Sequence, residues 1–172
     1  MNKSPEDQIL ELLYTYPKTQ FSFRDIERNT QLSIGTISKY VPLIQQKNLL
    51  NTDKRPTATY VSANRENPLF RQLKRANNLK KIYESNLIND LTKNLRPNCL
   101  ILFGSYEKGD DTEESDIDIA VIKGRKFQIN RKIFEKKLKR HLNLTYIKEP
   151  KKLKAELRTA LINGIVLSGY FD

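Results

Sequence analysis

The sequence predicts an α+β protein, and three observations carry that prediction. Apolar residues recur at three- and four-residue spacing through most of the first 95 residues. Two short strand-like runs flank a polar, basic turn around Lys54-Arg55. From Cys99 onward, short apolar or alternating runs exchange with helical stretches. A chain of 172 residues suffices for one ordinary domain or two small ones. The pattern divides it into segments 1–64, 65–96 and 97–172, the middle one a helical connector.

In the first segment, Ser4 is placed to cap a helix with Pro5 at its first position and Glu6 and Asp7 in its first turn. Ile9, Leu12, Leu13 and Tyr16 fall at helical spacing, and Pro17 ends the run. Phe21-Ser22-Phe23 opens a second helix, with Ser22 as cap and Asp25 as the third residue of a capping box. Ile26 faces the core, and the helix stops near Asn29-Thr30. Ser33 caps a third helix whose Ile37, Val41 and Ile44 turn inward. Its early turns expose small, polar and basic residues, Thr36, Ser38 and Lys39 among them, which suits a helix in a major groove. Pro42 is expected to kink this helix or cost it hydrogen bonds. Leu49–Thr52 and Thr57–Ser62 then read as a hairpin with Lys54 and Arg55 at its tip.

Helix, helix, turn, helix and basic hairpin together resemble the winged helix-turn-helix family. The stretch "SFRDIERNTQLSIGTISKYVPLIQQKNLL" carries the resemblance, within about the first 60 residues. It implies DNA binding through Ser33, Thr36, Ser38, Lys39, Lys54 and Arg55, and DNA-reading members often work as homodimers. A protein-interaction winged helix is the alternative. Eight Lys/Arg against six Asp/Glu in residues 1–64 leave only a small surplus there.

Between Pro68 and Leu95, apolar residues mostly three and four apart predict one long amphipathic helix or two, with a break near Asn77-Asn78. Arg96-Pro97-Asn98 ends it, because proline disfavours helix in the residue before it.

The chemical centre follows. Cys99–Phe103 is a continuous apolar run, the mark of a buried strand. Gly104-Ser105 comes next, then a short helix closed by Gly109 and a polar loop. Asp116–Ile122 alternates and is β-branched, so it reads as a second strand with Asp116 and Asp118 on one side. Two carboxylates on one face repel unless a cation lies between them, and Mg²⁺ takes one or two carboxylates with phosphate and water as further ligands. Gly104 lets a phosphate approach the backbone. Ser105 offers a hydroxyl and the free N–H groups of a helix start.

The segment "GSYEKGDDTEESDIDIAV" resembles the minimal nucleotidyltransferase domain of the DNA polymerase β superfamily. The pattern of Gly-Ser, ten residues and Asp-x-Asp is met without a gap by Gly104-Ser105 and Asp116-Ile117-Asp118. The resemblance spans roughly residues 97–171. It implies an ATP or other nucleoside triphosphate held through Mg²⁺, nucleotidyl transfer to an acceptor, and release of pyrophosphate. Gly104 and Ser105 would contact the triphosphate; Asp116 and Asp118 would be catalytic metal ligands. Some minimal members act as antitoxins that adenylylate a partner ribonuclease toxin, so a protein acceptor is one expectation.

The family also implies a third acidic residue on a later strand. The later strand here is Leu142–Ile147, and Asn143 stands where the acid is expected. Asparagine carries no charge and cannot act as a base, so a second function stays open: a transcription regulator that senses a nucleotide through a catalytically degenerate site. Glu149, before Pro150, is expected outside the site. Gln128–Arg140 reads as a helix with Ile129, Ile133, Phe134 and Leu138 inward. Pro150–Asn163 reads as another, with Leu153, Leu157, Leu161 and Ile162 inward. Gly164–Leu167 reads as a final buried strand.

Composition bounds the rest. The net charge of +11 and pI near 9.7 favour polyanionic partners, DNA or nucleotide phosphates. Thirteen basic residues against two acidic ones fall between Lys123 and Lys154, a surface for nucleic acid or an acidic partner, or a solvated lysine face. Cys99 is the only cysteine, so no internal disulfide forms, and a reducing cytoplasmic setting is expected. One cysteine and one histidine, His141, cannot build a structural zinc site. His141 reads as structural or exposed. No apolar run has the length of a membrane span, and the first residues carry no signal-peptide pattern.

Overall fold

The computed structural model describes residues 3–170. It divides into two compact units, Met1–Lys74 and Arg75–Asp172, each with its own core. The boundary falls inside one helix, so the stretch read as a connector is shared between the units.

In the first unit, α1 (Pro5–Thr15) is capped by the Ser4 hydroxyl, which accepts from the Asp7 amide. A two-residue strand β1 (Phe21–Ser22) precedes α2 (Phe23–Thr30). Ser22 and Asp25 complete the expected capping box: the Ser22 hydroxyl accepts the Asp25 amide, and the Asp25 carboxylate accepts the Ser22 amide. The strand was not legible in sequence, because two residues carry no periodicity. Phe21 and Ser22 pair with Val61 and Tyr60.

Helix α3 (Ile34–Gln46) starts at Ser33 and runs through Pro42 as one element. Its inward row is Ile37, Val41 and Ile44, as expected. The hairpin strands are β2 (Leu50–Arg55) and β3 (Ala58–Ala63), giving the sheet order β1-β3-β2. The first strand runs longer than the sequence predicts, to Arg55, and the second is shifted by one residue at the same length. Lys54 and Arg55 therefore end β2, opposite Thr59 and Ala58, with Pro56-Thr57 as the turn.

The connector holds two helices, α4 (Pro68–Glu84) and α5 (Leu87–Leu95). The break lies at Ser85-Asn86, where Asn86 takes a left-handed φ of 68°. Asn77-Asn78, expected to break the helix, lie inside α4, and Asn78 is buried because its amide has carbonyl and carboxylate partners. Leu87, Ile88, Leu91 and Leu95 enter the core of the second unit, while Phe70 enters that of the first.

The second unit is built on a four-stranded sheet in the order β6-β5-β4-β7. Its strands are β4 (Cys99–Phe103), β5 (Ile117–Ile122), β6 (Leu142–Ile147) and β7 (Ile165–Gly169). β4 runs antiparallel to β5 and β7, and β5 runs parallel to β6. Two-residue periodicity gives β4 and β5 two apolar faces. Leu100, Leu102, Ile119 and Val121 join α5 on one face. Cys99, Ile101, Ala120 and Ile122 join Leu161 on the other.

Three short helices complete the unit: α6 (Ser105–Lys108), α7 (Arg131–Leu138) and α8 (Ala155–Ile162). Both α7 and α8 are shorter than expected. Residues 124–130 form no helix, since only Phe127 and half-buried Ile129 are apolar there. Pro150–Lys152 is a 3₁₀ turn, and Leu153 and Lys154 are extended before α8 begins. Phe134, Leu138 and Leu161 are buried as expected, but Ile133 and Ile162 face solvent on the outer sides of these helices. β7 is an edge strand rather than a buried one: Leu167 points inward and Val166 outward. No helix among the described residues is long and apolar enough to cross a membrane.

Candidate active site

The site lies where β4 ends and β5 and β6 begin. Antiparallel register puts Phe103 opposite Asp118, and parallel register puts Asp118 opposite Asn143. The alternation that buries Ala120 and Ile122 carries Asp118 onto the same face, two residues before Ala120. Asp118 and Asn143 thus continue, with polar chemistry, a row that is apolar further along the sheet. Asp118 is half-buried; Asp116, just ahead of the strand, and Asn143 are exposed.

Gly104 fixes the approach on the other side. Its φ of 85° and ψ of −158° belong to a region that glycine alone occupies readily. A Cβ built there would stand 2.8 Å from Asp118 Oδ2. Absence of a side chain therefore lets the Gly-Ser turn lie against the carboxylate. Ser105 begins α6, and Gly109 ends it with a left-handed φ of 77°.

The remaining oxygen of Asp118 is engaged: Asn143 Nδ2 donates to Oδ1 at 2.9 Å. Where a third carboxylate would repel Asp118, the amide bonds to it. Carboxylate oxygens such as those of Asp116 and Asp118 are of the kind that Mg²⁺ takes, one or two at a time. A second ion would lack a third carboxylate, and among the described residues no group of three or more His, Cys, Asp or Glu side chains is assembled. Glu149 is six residues beyond Asn143, at the opposite end of β6, roughly 20 Å along a strand. It is exposed and pairs with Lys152 at 2.6 Å. His141 is exposed, its Nδ1 3.7 Å from Glu135.

A buried polar network, invisible in the sequence, holds the turn. Asn78 Nδ2 on α4 donates to the Tyr106 carbonyl at 3.0 Å and to Asp111 Oδ1 at 2.7 Å. Arg75 Nε donates to the Glu107 carbonyl at 3.0 Å, and its guanidinium pairs with the buried Glu107 carboxylate. Asp111 Oδ2 meets the Arg140 guanidinium at 3.2 Å, the two side chains 0% and 3% exposed. Burial, reinforced by the Asp111 charge, lifts the Tyr106 phenol above its ordinary range and keeps it neutral. Asp111 follows the Gly-Ser turn and Arg140 precedes β6, so their pair joins the two chain segments that frame the site. Asp111 is one of several acids in its loop, and Asn78, expected near a helix break, lies inside α4.

Of the residues expected at DNA, Ser33 is a helix cap whose hydroxyl accepts the Thr36 amide at 3.2 Å and lies 2.9 Å from the Thr36 hydroxyl. Ser38, Lys39 and Lys54 are exposed. Arg55 is exposed but held, donating to Asp53 at 2.8 Å and Gln20 at 3.1 Å and lying 4.5 Å over the Tyr60 ring.

Residues 85–168 match the family model described as Polymerase beta, Nucleotidyltransferase, a segment that contains every residue of the site. This supports the nucleotidyltransferase superfamily for the second unit and suggests nucleotidyl transfer in general. Domains of this family generally use a nucleoside triphosphate and Mg²⁺. No curated protein and no solved structure compared with the chain matches it.

Proposed function

We propose that the second unit binds ATP or another nucleoside triphosphate through Mg²⁺ and transfers its nucleotidyl group to an acceptor such as a protein, while the first unit binds DNA as a winged helix. The observation that carries the nucleotide reading is the close approach of the Gly104 turn to the Asp118 carboxylate. Gly104 lets the backbone of the turn approach both Asp118 and the triphosphate, and the Ser105 hydroxyl donates to one of its oxygens. Asp116 and Asp118 would hold the Mg²⁺, which when bound offsets charge on the triphosphate and makes its α-phosphorus more electrophilic. The acceptor hydroxyl oxygen bonds to that phosphorus, its proton passing to solvent water, as the bond to the leaving pyrophosphate breaks. For DNA binding, the support is three helices followed by an antiparallel hairpin, with Ser38 and Lys39 exposed on α3 and Lys54 at the end of β2. A homodimer would suit a DNA-reading pair of such units.

The bond from Asn143 to Asp118 favours a second reading. Asn143 cannot take the acceptor's proton, and its amide stabilises Asp118 without a second cation. A domain of this kind would bind nucleotide and transfer it poorly, as a sensing module of a transcription regulator does. Incubation with α-labelled ATP, Mg²⁺ and candidate protein acceptors separates the two. Label on an acceptor establishes transfer; nucleotide binding without label supports sensing; binding of neither nucleotide nor DNA overturns both.

A further inference from the structure

The second unit is electrically divided along its sequence. Residues 97–122, which hold the candidate site, contain one basic residue against seven acidic ones. Residues 123–154 contain thirteen basic residues against two acidic ones. Twelve of the thirteen are exposed, and Arg140 is buried against Asp111. Lys126, Lys132 and Lys136 make no ion pair among the described residues. Lys132 and Lys136 stand four apart on α7 and so share its outer face. Cations left this way repel one another, and an anion that covers them relieves the repulsion.

An apolar feature sits among these charges. Phe127 is 52% exposed, with the Arg125 guanidinium 5.7 Å from its ring centroid. Arg125 is anchored: its amide donates to the Leu95 carbonyl at 2.8 Å and its Nε to the Asn94 carbonyl at 2.6 Å. An aromatic ring held in water beside a pinned guanidinium and flanked by Lys126 offers a flat face where a base can stack. Helix α7 is pinned as well, since Arg131 donates to the Leu142 carbonyl at 3.4 Å and Glu135 accepts the Leu142 amide at 3.0 Å.

We propose that residues 123–139 form a binding surface for single-stranded nucleic acid, with Lys126, Lys132 and Lys136 at phosphates and Phe127 stacked on a base. The proposal uses no residue assigned to the triphosphate and none of the first unit, so its test does not depend on the function proposed above. A duplex keeps its bases stacked on each other and offers Phe127 nothing. An acidic polypeptide could satisfy the lysines but presents no base.

The test is fluorescence anisotropy with the full-length chain carrying Lys39→Ala and Lys54→Ala, which removes the two exposed lysines of the first unit expected at DNA. The probes are labelled oligo-U and oligo-dT of roughly 12 nucleotides, a duplex of equal length, and labelled polyglutamate. The single strands bind more tightly than the duplex and than polyglutamate, and whichever strand binds better names RNA or DNA as the source. Phe127→Ala weakens single-strand binding roughly tenfold, and Phe127→Tyr restores it. Lys132→Glu with Lys136→Glu weakens it and flattens the salt dependence. All three positions are exposed, and unchanged thermal midpoints verify folding. Equal binding of duplex, polyglutamate as the tighter ligand, or variants that bind like their parent would each overturn the proposal.

Discussion

Asn143 donates its side-chain amide to the Asp118 carboxylate across a parallel strand pair, 2.9 Å from nitrogen to oxygen. The register places the two residues directly opposite, so the side chain at 143 decides what Asp118 faces. An aspartate there would set two carboxylates together and raise the need for a cation. Asn143→Asp should therefore make the protein more dependent on Mg²⁺ and raise nucleotidyl transfer from labelled ATP by tenfold or more, the scale of one positioned charge at a metal site. Its thermal midpoint should fall without Mg²⁺ and recover with it. A variant with wild-type transfer and no Mg²⁺-dependent midpoint would show that position 143 does not face the metal.

Gly104→Ala tests the turn. The new Cβ would meet Asp118 Oδ2 at 2.8 Å, in a backbone conformation that alanine adopts only under strain. The turn must shift or Asp118 must rotate away. We expect about 1–3 kcal/mol lost in the second unit and Mg²⁺-dependent ATP binding weakened beyond detection by calorimetry. Asp116→Ala with Asp118→Ala should abolish that binding with less effect on folding, which distinguishes loss of ligands from loss of the turn. Wild-type ATP affinity in both variants would remove the site from consideration.

How far the sequence reveals this arrangement depends on the range of the interactions. Helix caps were legible at Ser4, Ser22 and Ser33 because a cap is settled by a neighbour three residues away. The Gly104-Ser105 turn and the alternation through Asp118 were legible for the same local reason. Asn143 is reached only through the family resemblance, which implies an acid on the later strand; its register opposite Asp118 is set by the parallel pairing of β5 and β6. Long-range partners left no local trace. Phe21-Ser22 became a strand only because Tyr60 and Val61 accepted it. Asn78 stayed in helix because the Tyr106 carbonyl and Asp111 met its amide. Ile133, Ile162 and Val166 were assigned inward from spacing alone, yet α7, α8 and β7 each cover the core with one narrow side.

The Asp111–Arg140 pair should matter more as a joint than as a source of stability. Removing one member leaves a buried charge without its counter-ion, which typically costs about 3–5 kcal/mol. Asp111→Ala should thus lower the urea midpoint of the second unit strongly. Adding Arg140→Met should regain much of that loss, because neither charge of the pair then remains. ATP affinity should stay weak in the double variant, since the loop after the turn has lost its tie to the start of β6. Equal destabilisation by the single and double changes would argue against the pair as described.

Asp25 supplies a pH dependence in the first unit. The hydrogen bonds of Ser22, first from its hydroxyl and then from its amide, hold the Asp25 carboxyl below its ordinary value of 3.8, with Arg28 adding to them. A carboxyl depressed in the folded state contributes stability that is present above its unfolded pKa and disappears as pH falls through the folded one. The gap in thermal midpoint between wild type and Asp25→Asn should accordingly be widest at neutral pH and close progressively below about pH 4. A gap that stays constant across this range would mean the capping box works equally well with a neutral side chain.

Lys39 and Arg55, both expected at DNA from the sequence, should behave differently. Lys39 is exposed on the early half of α3, and its charge is available to a phosphate. Lys39→Ala should weaken duplex binding across sequences and reduce the slope of log affinity against log salt by about one, as loss of a single phosphate contact does. Arg55 is committed to Asp53, Gln20 and the face of Tyr60, which brace the hairpin. Arg55→Ala should chiefly lower the stability of the first unit, by about 1 kcal/mol for a partly exposed cation over an aromatic ring with its hydrogen bonds. Its salt slope should change less than that of Lys39→Ala. Gel-shift titrations at several salt concentrations, beside urea unfolding, resolve the two effects. A salt slope that moves for Arg55→Ala and stays put for Lys39→Ala would transfer the phosphate contact from α3 to the hairpin.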